Sequence, residues 1–337
     1  MKTILVTGGA GFIGSNFIRM LLAETTGYDI LNADSLTYAG NLENLADITD
    51  DPRYSFIKAD ISDPVSMEAV FNLGPLWAVV NFAAESHVDR SIADPGVFVR
   101  TNVLGTQLVL DLSRRYGVER FQQVSTDEVY GSLGATGRFT EETPLAPNSP
   151  YAASKAAADL LCRAAYKTFQ QPVLVTRCSN NYGPWQFPEK LIPLMIANAL
   201  EDKPLPVYGQ GENVRDWLQV EDHCRAILQV LEQGEPGRIY NVGGDNEWRN
   251  IDIVRLILHE LDKPESLIRF VKDRPGHDQR YAIDSTRLQE ELGWRPRQDF
   301  TSGIRATITW YRKQVAWLAH MRDGSYRDYY EHQYGKV

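Results

Sequence analysis

Two short stretches carry side chains whose types and spacing suit proton transfer. In Tyr151-Ala152-Ala153-Ser154-Lys155 a phenol and an ammonium stand four residues apart, which on a helix places both on one face. A free phenol has a pKa of about 10, and a neighbouring cation favours phenolate, so Tyr151 could act as a base at an alcohol. By themselves the two residues also fit a surface tyrosine and a surface lysine. In Ser125-Thr126-Asp127-Glu128-Val129-Tyr130-Gly131, Thr126 could hydrogen-bond a substrate hydroxyl near Tyr151. Asp127 and Glu128 follow as two adjacent carboxyls at the end of an apolar run. Buried together, such a pair splits readily into one acid and one base. The residues alone leave a solvated acidic turn open.

These groups need elements to position them. Thr3–Val6 is a short apolar run read as a strand, Gly8-Gly9-Ala10-Gly11-Phe12-Ile13-Gly14 follows, and Ser15–Leu22 has helical apolar spacing. Gly8, Gly11 and Gly14 thus sit between strand and helix, where glycines let the backbone approach a pyrophosphate and the helix start offers free N–H groups. A second strand over Ile30–Ala33 stops at Asp34, twenty residues beyond Gly14. An acid there accepts from a ribose 2′-OH and repels a 2′-phosphate, so the pattern points to NAD rather than NADP. A bound nicotinamide would add a second cation beside Tyr151. Further strands are expected over Ser55–Asp60, Ala78–Ala83, Phe121–Ser125 and Pro172–Arg177. Helices are expected over Phe98–Tyr116, Ala152–Phe169, Lys190–Leu200 and His223–Gln233. Asp60 would end the third strand near the adenine, and Ala83-Ala84 would end the fourth, small enough to let a cofactor pass. Alternation of strand and helix predicts an α/β fold: a doubly wound parallel sheet of Rossmann type with a second, smaller α/β lobe. The expected division is 1–180, joined by part of 214–245, against 181–337 for the interlaced smaller lobe.

The 337 residues suffice for about two domains. A formal net charge of −9 argues against nucleic-acid or anionic-membrane partners. Cys162, Cys178 and Cys224 form no CxxC pair, which predicts neither a disulfide framework nor a zinc site and suits a reducing, cytoplasmic setting. No metal is expected. No run of 18 apolar residues occurs, and the opening apolar run is too short for a signal peptide.

With these motifs together, the sequence resembles the extended short-chain dehydrogenase/reductase superfamily through GGAGFIG, NFAAESHVDRS and YAASK. Within it, the chain resembles the dTDP-glucose 4,6-dehydratases. The discriminating strings are DSLTYAGNL (34–42), ESHVDRS (85–91), STDEVYG (125–131), RCSNNYGP (177–184), EKLIP (189–193), NVRDW (213–217) and DRPGHD (273–278). One departure is Ser35, where many bacterial members carry Lys. The resemblance implies a homodimer that takes dTDP-glucose and NAD. It implies Tyr151 as redox base with Lys155 as its partner and Thr126 at the substrate. Asp127 would protonate the departing 6-hydroxyl and Glu128 would remove the C5 proton. For the cofactor it adds Phe12, Ile13, Ser35, Thr37, Ile61 and Thr101 to Gly8, Gly11, Gly14, Asp34, Asp60, Ala83 and Ala84. For the nucleotide sugar it implies His87, Asn180, Lys190, Leu191, Pro206, Tyr208, Arg215, Asn250, Arg274 and His277. Guanidinium forks suit a pyrophosphate. The rivals are a nucleotide-sugar 4-epimerase, a UDP-glucuronate decarboxylase and a catalytically silent NAD-binding regulator. None of these needs an acid–base pair at C5 and C6.

Overall fold

Strands buried on both faces read as unbroken apolar runs, and the central ones here do: Ile4, Leu5 and Val6 are fully buried, as are Ala78, Val79 and Val80. The computed structural model describes residues 1–273, 275–322 and 330. Among them the strands are, in chain order, β1 (Lys2–Thr7), β2 (Tyr28–Asp34), β3 (Tyr54–Lys58), β4 (Ala78–Asn81), β5 (Arg120–Thr126), β6 (Val173–Cys178), β7 (Asn180–Tyr182), β8 (Leu205–Tyr208), β9 (Val214–Gln219), β10 (Ile239–Val242), β11 (Glu247–Arg249) and β12 (Ile268–Val271). Seven of these form a parallel sheet in the order β10-β6-β5-β4-β1-β2-β3. This is the expected doubly wound architecture.

One face of the sheet carries the helices Phe12–Glu24 and Val220–Gln233, which supply Phe17, Ile18, Leu21, Cys224, Ile227 and Leu231 to a common core. The other face carries Thr106–Arg115 and Pro150–Phe169, contributing Val109, Leu110, Cys162 and Ala165. Beyond β6 the chain builds a smaller lobe. The helices Leu191–Leu200, Asn250–Glu260 and Phe300–Lys313 pack around Trp217 and Tyr182. The sheets β11-β9-β7 and β12-β8 flank them. The chain crosses between the two regions more than once. Strand β9 belongs to a small sheet, whereas Val220–Gln233 and β10 lie on and in the large one.

The order of strands places the site. From β1 the chain moves to β2 and β3 on one side, and β4, β5 and β6 lie on the other. The crevice at the carboxyl ends of β1 and β4 is therefore the switch point where such sheets bind ligands. There the two loops nearly touch: a Cβ on Gly8 would lie 2.6 Å from the Ala83 nitrogen.

Two features differ from the sequence expectation. The sheet has a seventh strand, β10, that the apolar runs do not single out. The helix expected over Phe98–Tyr116 is Pro95–Phe98 and Thr106–Arg115 with a π-helical segment Val99–Gly105 between them. Such wide turns occur at functional sites. This one carries Thr101 to the cleft and lets Asn102 bracket residue 85. Its amide accepts from the Glu85 N–H at 2.9 Å and donates to the Glu85 carbonyl at 3.0 Å.

Candidate active site

The glycine turn is shaped by contact, not only by flexibility. Gly8 has φ +72°, a region costly for any residue with a Cβ. A Cβ on Gly14 would lie 2.4 Å from the Gly8 carbonyl oxygen, so helix and strand approach only because none is present. Gly11 caps the helix Phe12–Glu24 without a side-chain bond, and no acid occupies the first turn. The first N–H groups and the positive dipole end are thus left for an anion. Asp34, 7% exposed, ends β2 at the same cleft. Its carboxylate accepts from the Ala10 N–H at 2.9 Å and the Leu36 N–H at 2.8 Å. Burial pushes its carboxyl up, and those two donors pull it back. Turn, helix start and acid together fit a dinucleotide.

Asp34→Ala should weaken NAD by ~10–100-fold, the size of losing a hydrogen bond to a charged acceptor, and should narrow the preference over NADP. Dissociation constants for both cofactors check this. Equal wild-type affinity for the two would overturn the assignment.

The acid–base groups come from two elements. Strand β5 ends at Thr126, whose Oγ1 accepts from the Glu128 N–H at 3.2 Å and starts the 3₁₀ turn Asp127–Tyr130. The helix Pro150–Phe169 starts after Ser149, whose Oγ accepts from the Ala152 N–H at 3.1 Å, with Pro150 at its first position. This start sets Tyr151 in the first turn and Lys155 one turn on. Thr126, Glu128, Tyr151 and Lys155 all line the cleft. Asp127 does not: it is 1% exposed and lies behind the wall. Its Oδ1 accepts from the Thr126 hydroxyl at 3.4 Å, while its Oδ2 has no hydrogen-bond partner among the described residues. Burial, then the charges of Glu128 and Asp216, hold its carboxyl well above the usual range. A neutral acid is the state this environment favours.

The Tyr151 phenol is also pushed well up, first by burial and then by the Glu128 charge, with Thr126 pulling down. Lys155 is not the leading influence expected from the spacing. Its Nζ donates to the Val124 carbonyl at 2.7 Å, and burial pulls the ammonium down while Asp159 supports it. The side chains alone therefore hold the phenol protonated.

The cleft, about 420 Å³, falls within the usual range for small-molecule sites. It gathers the glycine turn, Phe12, Ile13, Asp34, Ser35, Thr37, Asp60, Ile61, Ala83, Ala84 and Thr101. The same cleft is lined by His87, Asn180, Lys190, Leu191, Pro206, Tyr208, Arg215, Asn250 and His277. Arg274 lies outside the described residues. Several of these side chains also hold the walls together. His87 Nδ1 accepts from the Arg90 N–H at 3.4 Å and caps the helix Val88–Ala93. Lys190 donates to the Ser86 carbonyl at 2.8 Å, and Tyr208 to Asp89 at 3.0 Å. Arg215 donates to the Val214 and Asp278 carbonyls, both at 2.8 Å, and lies over the Tyr281 ring at 4.2 Å. Asn180 Oδ1 and Asn250 Oδ1 are buried without hydrogen-bond partners among the described residues, so each acceptor is ready for a ligand donor.

Among the cleft residues that sequence reasoning left out are Glu189 and Tyr281. Glu189, 6% exposed, accepts from Arg90 Nε at 3.2 Å. Burial pushes its carboxyl up against the pull of Lys190 and Arg90. Tyr281 faces the same cleft and donates to Asp278. The available signals were an acid directly before Lys190 and a tyrosine three residues beyond the DRPGHD stretch.

Comparison with known proteins bears on this arrangement. The family model described as GDP-mannose 4,6 dehydratase matches residues 5–307. A dTDP-glucose 4,6-dehydratase of Xanthomonas campestris pv. campestris (strain B100) is 54% identical, over 97% of this chain and 98% of its own. The crystal structure of a dTDP-glucose 4,6-dehydratase from Bacillus anthracis in complex with NAD is similar at TM-score 0.89 and 52% identity. It covers 95% of this chain and 100% of that one. DesIV, a dTDP-glucose 4,6-dehydratase from Streptomyces venezuelae with NAD and TYD bound, is similar at TM-score 0.91 and 49% identity, covering 95% and 99%.

Proposed function

The chain belongs to the dTDP-glucose 4,6-dehydratase family, and from that premise we propose which of its residues perform each part of the reaction. The overall conversion is dTDP-glucose to dTDP-4-keto-6-deoxy-glucose, with NAD as cofactor. NAD, when bound, takes up the C4 hydride and returns it at C6, and its positively charged ring is the cation that favours phenolate beside it. The glycine turn and Asp34 hold the dinucleotide. Tyr151 removes the proton of the 4-hydroxyl, with Thr126 oriented to the same oxygen and Lys155 supporting the charge. Oxidation at C4 acidifies C5, so Glu128 can take the C5 proton. Asp127 supplies the proton for the departing 6-hydroxyl from behind the cleft wall, with the Thr126 hydroxyl, 3.4 Å from its Oδ1, as its contact toward the cleft. Asn180, Asn250, Arg215 and their neighbours hold the nucleotide sugar.

One observation carries this reading. A buried carboxyl biased toward its neutral form stands next in sequence to a cleft-facing carboxyl, beside the Tyr151–Lys155 helix. Epimerization or decarboxylation on this scaffold needs the tyrosine and the lysine but no such pair, and a silent regulator needs none of them. Turnover of dTDP-, UDP- and CDP-glucose, read as alkali-induced absorbance of a 4-keto sugar, tests it. Product from dTDP-glucose is expected; none from any of the three would overturn it.

The assembly reading is a homodimer. Ala153, Ala157, Leu160, Leu161 and Ala164 recur at helical spacing on an outer face of Pro150–Phe169. On the adjoining segments Leu104 is exposed, and Val103 and Leu108 are half-buried. Leu104 and Leu160 are 60% and 55% exposed. A second copy of this face would bury both stripes as a four-helix bundle. No helix among the described residues is long and apolar enough to cross a membrane. Three buried free thiols suit a cytoplasmic location. For domains, the division proposed is 1–180 with part of 214–245, against 181–337.

A further inference from the structure

Ala10, the one non-glycine residue among the first four of the turn, is fully buried, so both its peptide groups need internal partners. Its N–H donates to Asp34 Oδ2 at 2.9 Å. Its carbonyl accepts twice, from the Asn41 N–H at 3.0 Å and from Asn44 Nδ2 at 2.8 Å. Asn44 is 2% exposed, and its other end is also engaged. Asn44 Oδ1 accepts from Trp317 Nε1 at 2.9 Å, and its backbone carbonyl accepts from Arg19 Nε at 2.9 Å. Trp317 lies on the short helix Val315–Met321. A second tie joins the same two segments, since Asn41 Nδ2 reaches Met321 Sδ at 3.3 Å. The indole is wedged between Trp185 and Trp310, with ring centroids 5.6 and 5.4 Å away.

None of Asn44, Trp317 or Met321 lines the cleft. They nevertheless form an unbroken hydrogen-bonded path: Trp317 to Asn44, Asn44 to Ala10, Ala10 to Asp34. The path crosses 273 positions of sequence between Trp317 and Asn44. A buried amide with both ends bonded can take only one orientation. Asn44 thus sets the angle of the Ala10 peptide, and through it the relation of the glycine turn to the ribose acid.

We propose that the helix Val315–Met321 is a strap on the dinucleotide site, with Trp317 a positioning residue that acts through Asn44 on Ala10 and governs how tightly NAD is retained. The inference rests on the assignment of NAD to this cleft. It needs no contact between the strap and the cofactor. Binding that requires the turn in one geometry is stronger when that geometry is already held, and the coupling is reciprocal.

Two measurements on the full chain test it. Trp317→Phe keeps a ring but removes the donor to Asn44. It should weaken NAD about tenfold, since a buried acceptor is left without its partner. Ile308→Ala, a packing change in the same core cluster but off the path, should lower the thermal midpoint of unfolding while leaving NAD affinity within about twofold of wild type. Equal loss of affinity in both variants, or none in Trp317→Phe, would overturn the strap. The second measurement needs no variant. Adding NAD to the stripped wild type should slow amide hydrogen exchange across 315–321 as well as in the cleft. Protection confined to cleft segments would count against the proposal even if Trp317→Phe did not fold. If wild type fails to bind NAD at all, it is the cofactor assignment that falls, a result distinct from either of these.

Discussion

Given dTDP-glucose, the Glu128→Gln variant should reduce its bound NAD and then stop. The amide keeps the shape of the side chain but cannot accept the C5 proton, so dehydration should slow by ~10²–10⁴-fold, the usual worth of one positioned proton-transfer group. The oxidation that precedes it should not suffer. The Glu128 charge is the second cause, after burial, of the raised Tyr151 phenol, so neutralizing it should make the phenol easier to deprotonate and the first step at least as fast. The expected record is a stable rise in NADH absorbance, enzyme-bound 4-keto-glucose and almost no 6-deoxy product. In the wild type, deuterium placed at C4 should reappear at C6 of the same molecule, and solvent deuterium should enter C5. Mixing C4-deuterated substrate with uniformly ¹³C-labelled substrate and weighing the products checks this. Deuterium crossing onto the ¹³C product would mean that the hydride escapes mid-cycle. Absence of C6 deuterium would mean that this is not a 4,6-dehydratase. A Glu128→Gln enzyme that releases product at the wild-type rate would remove Glu128 from the mechanism.

Tyr151→Phe should abolish the step that Glu128→Gln spares. The phenylalanine ring can keep the edge-on packing against Phe98, whose centroid is 6.3 Å away, so folding and sugar binding should change little. The base at the 4-hydroxyl is gone, and NADH formation in a single turnover should fall at least ~100-fold. A pH signature accompanies this. Burial holds the phenol protonated, and the proposed active form is the phenolate, so the wild-type oxidation rate should climb as pH rises toward the phenol's pKa. In Tyr151→Phe that slope should vanish along with the rate. Near-normal NADH formation in the variant would refute the role. A lost rate with the slope intact would assign the titration to another group.

Much of the site is legible in order along the chain because its signals are local. Three glycines between a strand and a helix, an acid closing the next strand, and a phenol four residues before an ammonium each depend on backbone geometry within one or two turns. The parallel sheet is legible for the same reason, since strands covered on both faces run predominantly apolar, as β1 and β4 do. Such features follow from φ/ψ limits and side-chain spacing, which act between near neighbours.

What only the tertiary structure decided depends on groups far apart in sequence. Asp127 and Glu128 are indistinguishable as residue types, yet one is sealed behind the wall beside Asp216 and the other opens to the cleft. On the proposed mechanism that difference separates acid from base, because desolvation and neighbouring charge set a carboxyl's proton affinity. Lys155 is aimed at the Val124 carbonyl, a partner its spacing from Tyr151 does not reveal. Glu189 is buried where Arg90, 99 positions away in sequence, meets it. Asn44, unremarked in the sequence, is tied to both Ala10 and Trp317. The sequence by itself determined which chemical groups are present and which short elements carry them. Their burial, partners and protonation were decided by packing, since electrostatic cost in a low-dielectric interior depends on surroundings that no local pattern records.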